Sequence, residues 1–154
     1  MEAISNDELF ASLSYFYEEM MPFNKLLGLK METLNIDSAV ICFSMKEELV
    51  GNTHKRILHG GVISSVLDFM GGVIAQLHVI REMEDATGET LLNRLVQMGT
   101  IDMRVDFIRP GRGEQFTATG EMLRLGNKVA VVRSLLHNDS EALIAAATGT
   151  YMVG

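Results

Sequence analysis

One stretch of the sequence, HGGVISSVLDFMGGVIAQLHV from His59 to Val79, holds most of the residues able to do chemistry. Read as a helix from about Gly60, it places Gly61, Ser64, Ser65, Asp68, Gly71, Gly72 and Ala75 along one side, spaced by three and four residues. Bulky apolar side chains take the rest of the circumference, so the helix suits burial in a core, with a narrow seam that another backbone or a ligand can approach. Glycine costs a helix about 1 kcal/mol at each position, so Gly60, Gly61, Gly71 and Gly72 call for a reason. At the helix start there is one. Backbone N–H groups of the first turn lack intrahelical partners and carry the positive end of the helix dipole. They can stabilise an oxyanion developing on a carbonyl, and glycine lets that carbonyl come close.

Such a carbonyl needs a nucleophile or a general base, and Asp68 is the first acid on this helix, ahead of Glu82. An aspartate on a helix is ordinarily a solvated surface group. Asp68, between Leu67 and Phe69 on a helix with little polar face, fits a functional role better. His59 has two readings, a helix-start residue satisfied by its neighbouring backbone or a participant in the site. Gly61 and Ser65, on the small-residue seam, are candidate substrate contacts. Seven residues separate Gly61 from Asp68, roughly 10 Å of helix, too far for Asp68 to reach a carbonyl held at its own helix start. A two-fold dimer in which Asp68 of one subunit faces the helix start of the other removes the difficulty and gives two composite sites.

The elements around this helix follow from pattern. Ser5 and Glu8 have capping-box spacing, and Leu9, Leu13, Phe16 and Met20 recur at helical intervals up to Pro22. Residues 1–21 therefore read as an N-terminal helical extension, followed by a short helical turn over 22–27 ending at Gly28. Residues 29–33 and 39–45 read as a hairpin turning at Asn35, Ile36 and Asp37. Residues 50–58 are irregular and polar, 59–83 form the main helix, and 85–89 read as a loop. Strands are expected at 96–108, 115–123, 128–137 and 142–151, separated by Pro110-Gly111, Gly126-Asn127 and Asn138-Asp139-Ser140. In the first of these, Ile101, Met103, Val105 and Phe107 alternate with Thr100, Asp102, Arg104 and Asp106, the period-two signature of one buried face. Helix, hairpin, long helix and then a run of antiparallel strands make an α+β fold.

At 154 residues and 47% hydrophobic content the chain suits one domain spanning 1–154. A net charge of −7 argues against a nucleic-acid binder that works by phosphate neutralisation. A single cysteine, Cys42, rules out an internal disulfide framework and fits the reducing cytoplasm; in an apolar alternating run it reads as a core thiol, not a nucleophile. The acidic N-terminus leads to no apolar stretch suited to export or membrane anchoring. His54, His59, His78 and His137 are dispersed without metal-ligand spacing, and neither a phosphate-binding loop nor a dinucleotide fingerprint is present. No metal and no cofactor are expected.

Asn52, His59-Gly60-Gly61, Asp68 and the run GTIDMRVDFIRP from Gly99 to Pro110 resemble the hotdog-fold thioesterases of the phenylacetate-degradation type, most of all bacterial members acting on medium- and long-chain acyl-CoA. The resemblance extends from about Pro22 to the C-terminus. It implies a long antiparallel sheet wrapped around the central helix, a homodimer with one continuous sheet, and commonly a dimer of dimers. It also implies hydrolysis of a fatty or aromatic acyl-CoA, with Asp68 as nucleophile or base for water. Gly60 would supply the N–H that polarises the thioester carbonyl, His59 and Asn52 would act near the sulfur, and Thr100 stands where some relatives place a serine that positions water. Two features depart from the family pattern: the 52–59 loop is one residue longer than in some relatives, and the extension before Pro22 has no role the resemblance explains.

Coenzyme A brings phosphate charge that an acidic protein must meet locally. Arg109, Arg112, Arg124 and Lys128, with Arg133, concentrate near strand ends and turns of the C-terminal half, although exposed strands carry such residues in any case. Eleven methionines, Met70, Met98, Met103 and Met122 among them, suit an adaptable apolar lining or an ordinary core. Two other functions use the same frame: an acyl-thioester hydratase or dehydratase, which wants a histidine and an acid around the α and β carbons, and a non-catalytic acyl-CoA sensor, which has no need of Asp68.

Overall fold

The computed structural model describes residues 5–83 and 88–154. Helix α1 (Asn6–Tyr15) starts at the expected capping box, in which Ser5 Oγ accepts from the Glu8 N–H and the Glu8 carboxylate accepts from the Ser5 N–H. The helix widens into a single π-turn (Phe16–Met20); Pro22 then opens α2 (Pro22–Leu27), and Gly28, at φ 74°, closes it. The inward stripe of this extension differs from the expected one. Apolar pairs at 9–10 and 16–17 offer two stripes, and the structure buries Phe10 and Tyr17 while exposing Phe16 and Met20. Tertiary contact decides, because the Tyr17 ring meets Phe69 edge-on at 5.3 Å and its hydroxyl donates to Gln76 Oε1.

Strands β1 (Lys30–Leu34) and β2 (Ala39–Ser44) form the expected hairpin, its turn held by Asn35 Oδ1, which accepts from the Asp37 and Ser38 N–H groups. The segment 50–58, expected to be irregular, contains a small antiparallel ladder of β3 (Val50–Asn52) and β4 (Ile57–Leu58). Helix α3 (Gly60–Glu82) follows as expected. A further helix, α4 (Gly88–Leu95), stands where the end of the 85–89 loop and the unassigned stretch before the strand expected from 96 were read, and residues 84–87 lie outside the described residues. The apolar alternation at Val96 and Met98 imitates a strand, yet the N–H groups of 96–98 bond back to the carbonyls of Leu92, Arg94 and Leu95 and complete the helix. The remaining strands are β5 (Gly99–Phe107), β6 (Gln115–Leu125), β7 (Val129–Asn138) and β8 (Leu143–Met152).

Six strands form one antiparallel sheet in the order β1-β2-β6-β7-β8-β5, and α3 packs across it, the hotdog arrangement. By length and composition α3 is apolar enough to cross a membrane, but Val66, Leu67, Met70, Val73 and Leu77 are buried within the fold. The sheet makes room with small residues: Ala145, Ala147 and Gly149 of β8 and Ala130 of β7 lie on the buried face. Tyr151 fills the gap they leave. A Cβ at Gly71 would stand 2.0 Å from the Tyr151 hydroxyl, and one at Gly149 2.6 Å from the same oxygen, so both glycines are steric requirements of that ring.

Strand β5 forms an edge of the sheet and departs from expectation in burial. Met103 and Val105 are only half-buried, and Ile101 and Phe107 are 56% and 57% exposed, so the apolar face expected to pack is uncovered within one chain. The placement of Gly71 yields a direct expectation. Gly71→Ala should destabilise the protein by about 1–3 kcal/mol through overpacking, although alanine favours a helix by about 1 kcal/mol over glycine; urea unfolding of the two proteins measures the difference.

Candidate active site

The start of α3 is built around His59. Its N–H donates to the Leu49 carbonyl at 2.8 Å, and its Nδ1 accepts from the Gly61 N–H at 2.8 Å, capping the helix. The neutral ring therefore carries its proton on Nε2, which faces away from the cap. Gly51 allows this contact, since a Cβ there would lie 2.6 Å from the His59 Cα. Among the described residues none accepts from the Gly60 N–H, so the first turn keeps a free donor beside the Phe107 ring, which lies 3.4 Å from where a Gly60 Cβ would be. Ser64 and Ser65 return their hydroxyls to the carbonyls of Gly60 and Gly61, at 3.1 and 2.7 Å. Asn52, at the tip of the β3–β4 ladder, accepts from the Lys55 N–H at 3.0 Å and so closes its own turn.

Two turns further along α3 stands Asp68. Its Oδ1 accepts a 2.9 Å hydrogen bond from the Thr100 hydroxyl, and the Tyr151 hydroxyl donates to its backbone carbonyl at 3.1 Å. Thr100 reaches Asp68 through a bulge. Simple alternation puts Thr100 on the outward face with Asp102 and Arg104, but β5 pairs Thr100 with Tyr151 and Asp102 with Thr150, leaving Ile101 as the extra residue. The parity flips there, and Thr100 turns inward.

The helix thus carries two half-sites: His59, Gly60 and Phe107 at its start, and Asp68 with Thr100 about 12 Å along it. Each borders a cleft. One, of about 320 Å³, is lined by Asp68, Thr100 and Tyr151 together with Phe16, Tyr17 and Met21 of the extension. The other, of about 360 Å³, is lined by His59, Gly61, Val62, Leu26 and Leu49, and the two share Ser65 and Phe23. Of the methionines singled out above, Met98 lines the Asp68 cleft, Met70 is buried core, and Met103 and Met122 pack at its margin. Met21 and the extension's aromatic residues carry no motif in the sequence. Gln76 does leave a trace, as a polar residue eight positions beyond Asp68 on an otherwise apolar helix.

The basic residues do not gather in one place within the chain. Arg112 precedes β6 near the helix start, where the Leu58 N–H donates to the Gly111 carbonyl at 3.0 Å, and Arg109 Nη1 donates to the Leu143 carbonyl at 3.0 Å. Arg124 and Lys128 lie at the opposite end of β6, where the Val153 N–H donates to the Lys128 carbonyl and Gly99 and Val129 both pair with Met152. Arg133 is exposed at the middle of β7, opposite Glu121.

With this geometry in place, a family model described as the thioesterase superfamily matches residues 56–145. The chain is 49% identical over 134 residues to the medium/long-chain acyl-CoA thioesterase YigI of Escherichia coli K12, covering 87% of this chain and 86% of that one. A crystal structure of a Shewanella oneidensis protein related to the thioesterase superfamily superposes with a TM-score of 0.93 at 45% identity, covering 99% of this chain and all of the other. The E. coli PaaI protein from the phenylacetic acid degradation operon shares the fold, with a TM-score of 0.68 at 19% identity over 95% of this chain and 91% of its own.

Two tyrosines tie the site to the core in a way that pH can probe. Burial pushes the Tyr17 phenol well above its ordinary value, and burial followed by the negative charge of Asp68 does the same for Tyr151. Both stay protonated in the folded chain after the unfolded chain begins to ionise near pH 10. The stability they contribute is complete below about pH 10 and falls as pH rises above it. Thermal unfolding between pH 8 and 11 should show this loss, and the Tyr17→Phe/Tyr151→Phe variant, although less stable at pH 8, should lose less across the same interval.

Proposed function

The chain belongs to the thioesterase superfamily, and from that premise we propose that it hydrolyses medium- or long-chain acyl-CoA to the free acid and CoA, in the cytoplasm, at composite sites of a homodimer. The observation that carries this reading is the pair of half-sites on α3: an aspartate oriented by Thr100, and a free N–H at Gly60. In hydrolysis the Gly60 N–H and the helix dipole stabilise the oxyanion formed on the thioester carbonyl. Asp68 either takes the proton of a water adding to the carbonyl carbon, or adds itself to give an anhydride that water then opens. The C–S bond breaks, CoA leaves as its thiolate, and the proton ends on the sulfur. The Nε2–H of His59 and the amide of Asn52, beside the helix start, are the groups available to the leaving sulfur.

The edge position of β5 supports the dimer. A two-fold copy paired antiparallel along this edge and centred on Arg104 sets Asp102 opposite Asp106 and, with Ile101 bulged out, Thr100 of one subunit opposite Phe107 of the other. Thr100 marks the Asp68 half-site and Phe107 marks the Gly60 half-site, so one pairing joins each aspartate to its partner's helix start. It also covers Ile101 and Phe107, and it brings the Arg109 and Arg112 end of one sheet towards the Arg124 and Lys128 end of the other, on either side of the CoA phosphates. A hydratase is disfavoured by the bonding of His59, whose Nδ1 is committed to the Gly61 N–H and so leaves no basic ring nitrogen for a proton on the substrate's α carbon.

Release of free thiol from acetyl-, hexanoyl-, decanoyl-, palmitoyl- and phenylacetyl-CoA tests the activity. Asp68→Ala should lower turnover by at least about 10²–10³, the scale of a lost oxyanion donor, while keeping its fold; binding without turnover in the wild type would make the protein a sensor instead. Gly60→Pro removes the donor with little else, because proline is tolerated at the first helical position and His59, at φ −63° and ψ 137°, already has the extended backbone that precedes proline. It should lose about 10²–10³ in turnover. Mixing refolded Asp68→Ala and Gly60→Pro subunits should restore about a quarter of wild-type activity, since half of the random dimers carry one intact site; a mixture as inactive as its parents would place the site within one chain.

A further inference from the structure

The extension before Pro22 has no part in the proposed hydrolysis, yet it supplies one wall of the cleft that holds Asp68. We propose, on the thioesterase reading above, that this extension together with the line Asp68, Gly72, Gln76 forms the acyl-chain channel, with the Tyr17–Gln76 pair as its closed end and Gly72 as the residue that sets usable chain length.

Three residues spaced by four lie in a row along α3, and all three line the cleft of about 320 Å³. The wall facing them comes from Phe16, Tyr17, Met21 and Phe23. Among the described residues no lysine or arginine lines this cleft, so its described lining offers nothing to a phosphate and suits a hydrocarbon. At the midpoint of the row a Cβ on Gly72 would, among the described residues, meet only the Tyr151 ring, at 4.0 Å, whereas a Cβ on the neighbouring Gly71 collides with the Tyr151 hydroxyl at 2.0 Å. Packing therefore demands glycine at 71 and leaves 72 open. What the missing side chain at 72 leaves is channel.

The far end is closed and fastened. Tyr17 is 3% exposed and its hydroxyl donates to Gln76 Oε1. Asn24, 2% exposed, donates through Nδ2 to the Tyr17 carbonyl at 3.0 Å, and Glu18 accepts from the Met31 N–H at 2.8 Å, which ties the π-turn to β1. The wall thus holds its place against the helix without a ligand. From Asp68 to Gln76 the row is about 12 Å long. A zigzag hydrocarbon with C–C bonds near 1.5 Å covers that span in about nine or ten carbons. A medium-length acyl group fills the channel down to the Tyr17–Gln76 pair, and a longer chain must turn out beside the exposed Phe16 ring.

Measuring kcat/KM across even-numbered acyl-CoAs from butanoyl to palmitoyl tests this. The wild type should rise to about ten carbons and then level. Gly72→Leu should lower the decanoyl-to-butanoyl ratio at least tenfold, mainly through KM, and Gly72→Ala, which lengthens no side chain beyond one methyl, should lower it by a smaller factor in the same direction. Gln76→Ala, which opens the closed end, should move the optimum to longer chains. Unchanged ratios in folded Gly72 variants would overturn the proposal. A second arm needs no turnover: the non-hydrolysable thioethers S-decyl-CoA and S-ethyl-CoA are titrated against wild type and the Gly72 variants. A wild type that binds S-decyl-CoA tighter than S-ethyl-CoA, with the preference lost in Gly72→Leu, supports the channel even if hydrolysis fails for every substrate, in which case the thioesterase reading alone falls. Equal binding of the two thioethers by the wild type would overturn the channel whatever the turnover.

Discussion

The seating of the Tyr151 ring between Gly71 of the central helix and Gly149 of the sheet is the contact on which the rest of the structure depends. Interiors pack at crystal-like density, so a ring held between two glycines fixes both the separation and the rotation of α3 relative to β8. The ring's hydroxyl then meets the backbone carbonyl of Asp68. A carbonyl inside a helix already accepts one intrahelical bond, and its second lone pair is available to an outside donor. The catalytic candidate is thereby positioned through its main chain, which leaves its carboxylate free to face the cleft and Thr100.

From this seating the two ends of β5 acquire different tasks. The bulge at Ile101 turns Thr100 inward to Asp68, while regular alternation carries Met103, Val105 and Phe107 inward to the helix start. Without the bulge, one of the two sets would face solvent, since a shift of one residue in a strand exchanges its faces. The same strand is an unpaired edge with exposed apolar residues. Such an edge is a template for pairing with another chain. An antiparallel pairing is self-complementary under a two-fold axis, so a single strand provides the site's geometry and the means of completing it.

What the sequence made legible was whatever rests on local chemistry or on strict period. The capping box at Ser5 and Glu8, the stop at Gly28, the hairpin turn at Asn35 and the long helix from Gly60 all obey rules that operate within a few residues. Asp68 stood out because an acid on an apolar helix has few solvated alternatives. The features that escaped depend on contacts distant in sequence. Nothing near residue 17 announces that Tyr17 wins over Phe16; Gln76 and Phe69 decide it. The bulge that turns Thr100 inward is invisible to an alternation count, which put Thr100 on the outward face until the register with β8 reversed it. Helix α4 escaped for a different reason: it buries no residue, and apolar spacing after it imitates a strand.

The adjacent glycines at 71 and 72 show how far residue type alone carries an argument. Both belong to the same small-residue seam, both cost the helix about 1 kcal/mol against alanine, and the sequence offers no means of telling them apart. A rotation of about 100° separates them around the axis. That rotation sends Gly71 under a buried ring and Gly72 to the wall of an apolar cleft. The first glycine is required because a neighbour occupies the space a methyl would need; the second meets nothing closer than the Tyr151 ring at 4.0 Å among the described residues, and none of them offsets its cost to the helix. A helix buried on most of its surface has every opportunity to fill such a gap with alanine. An open position of this kind, in line with a carboxylate and facing a wall of aromatic side chains, is best explained by something that enters from outside, and the hydrocarbon chain of a thioester substrate has the shape and the polarity to do so.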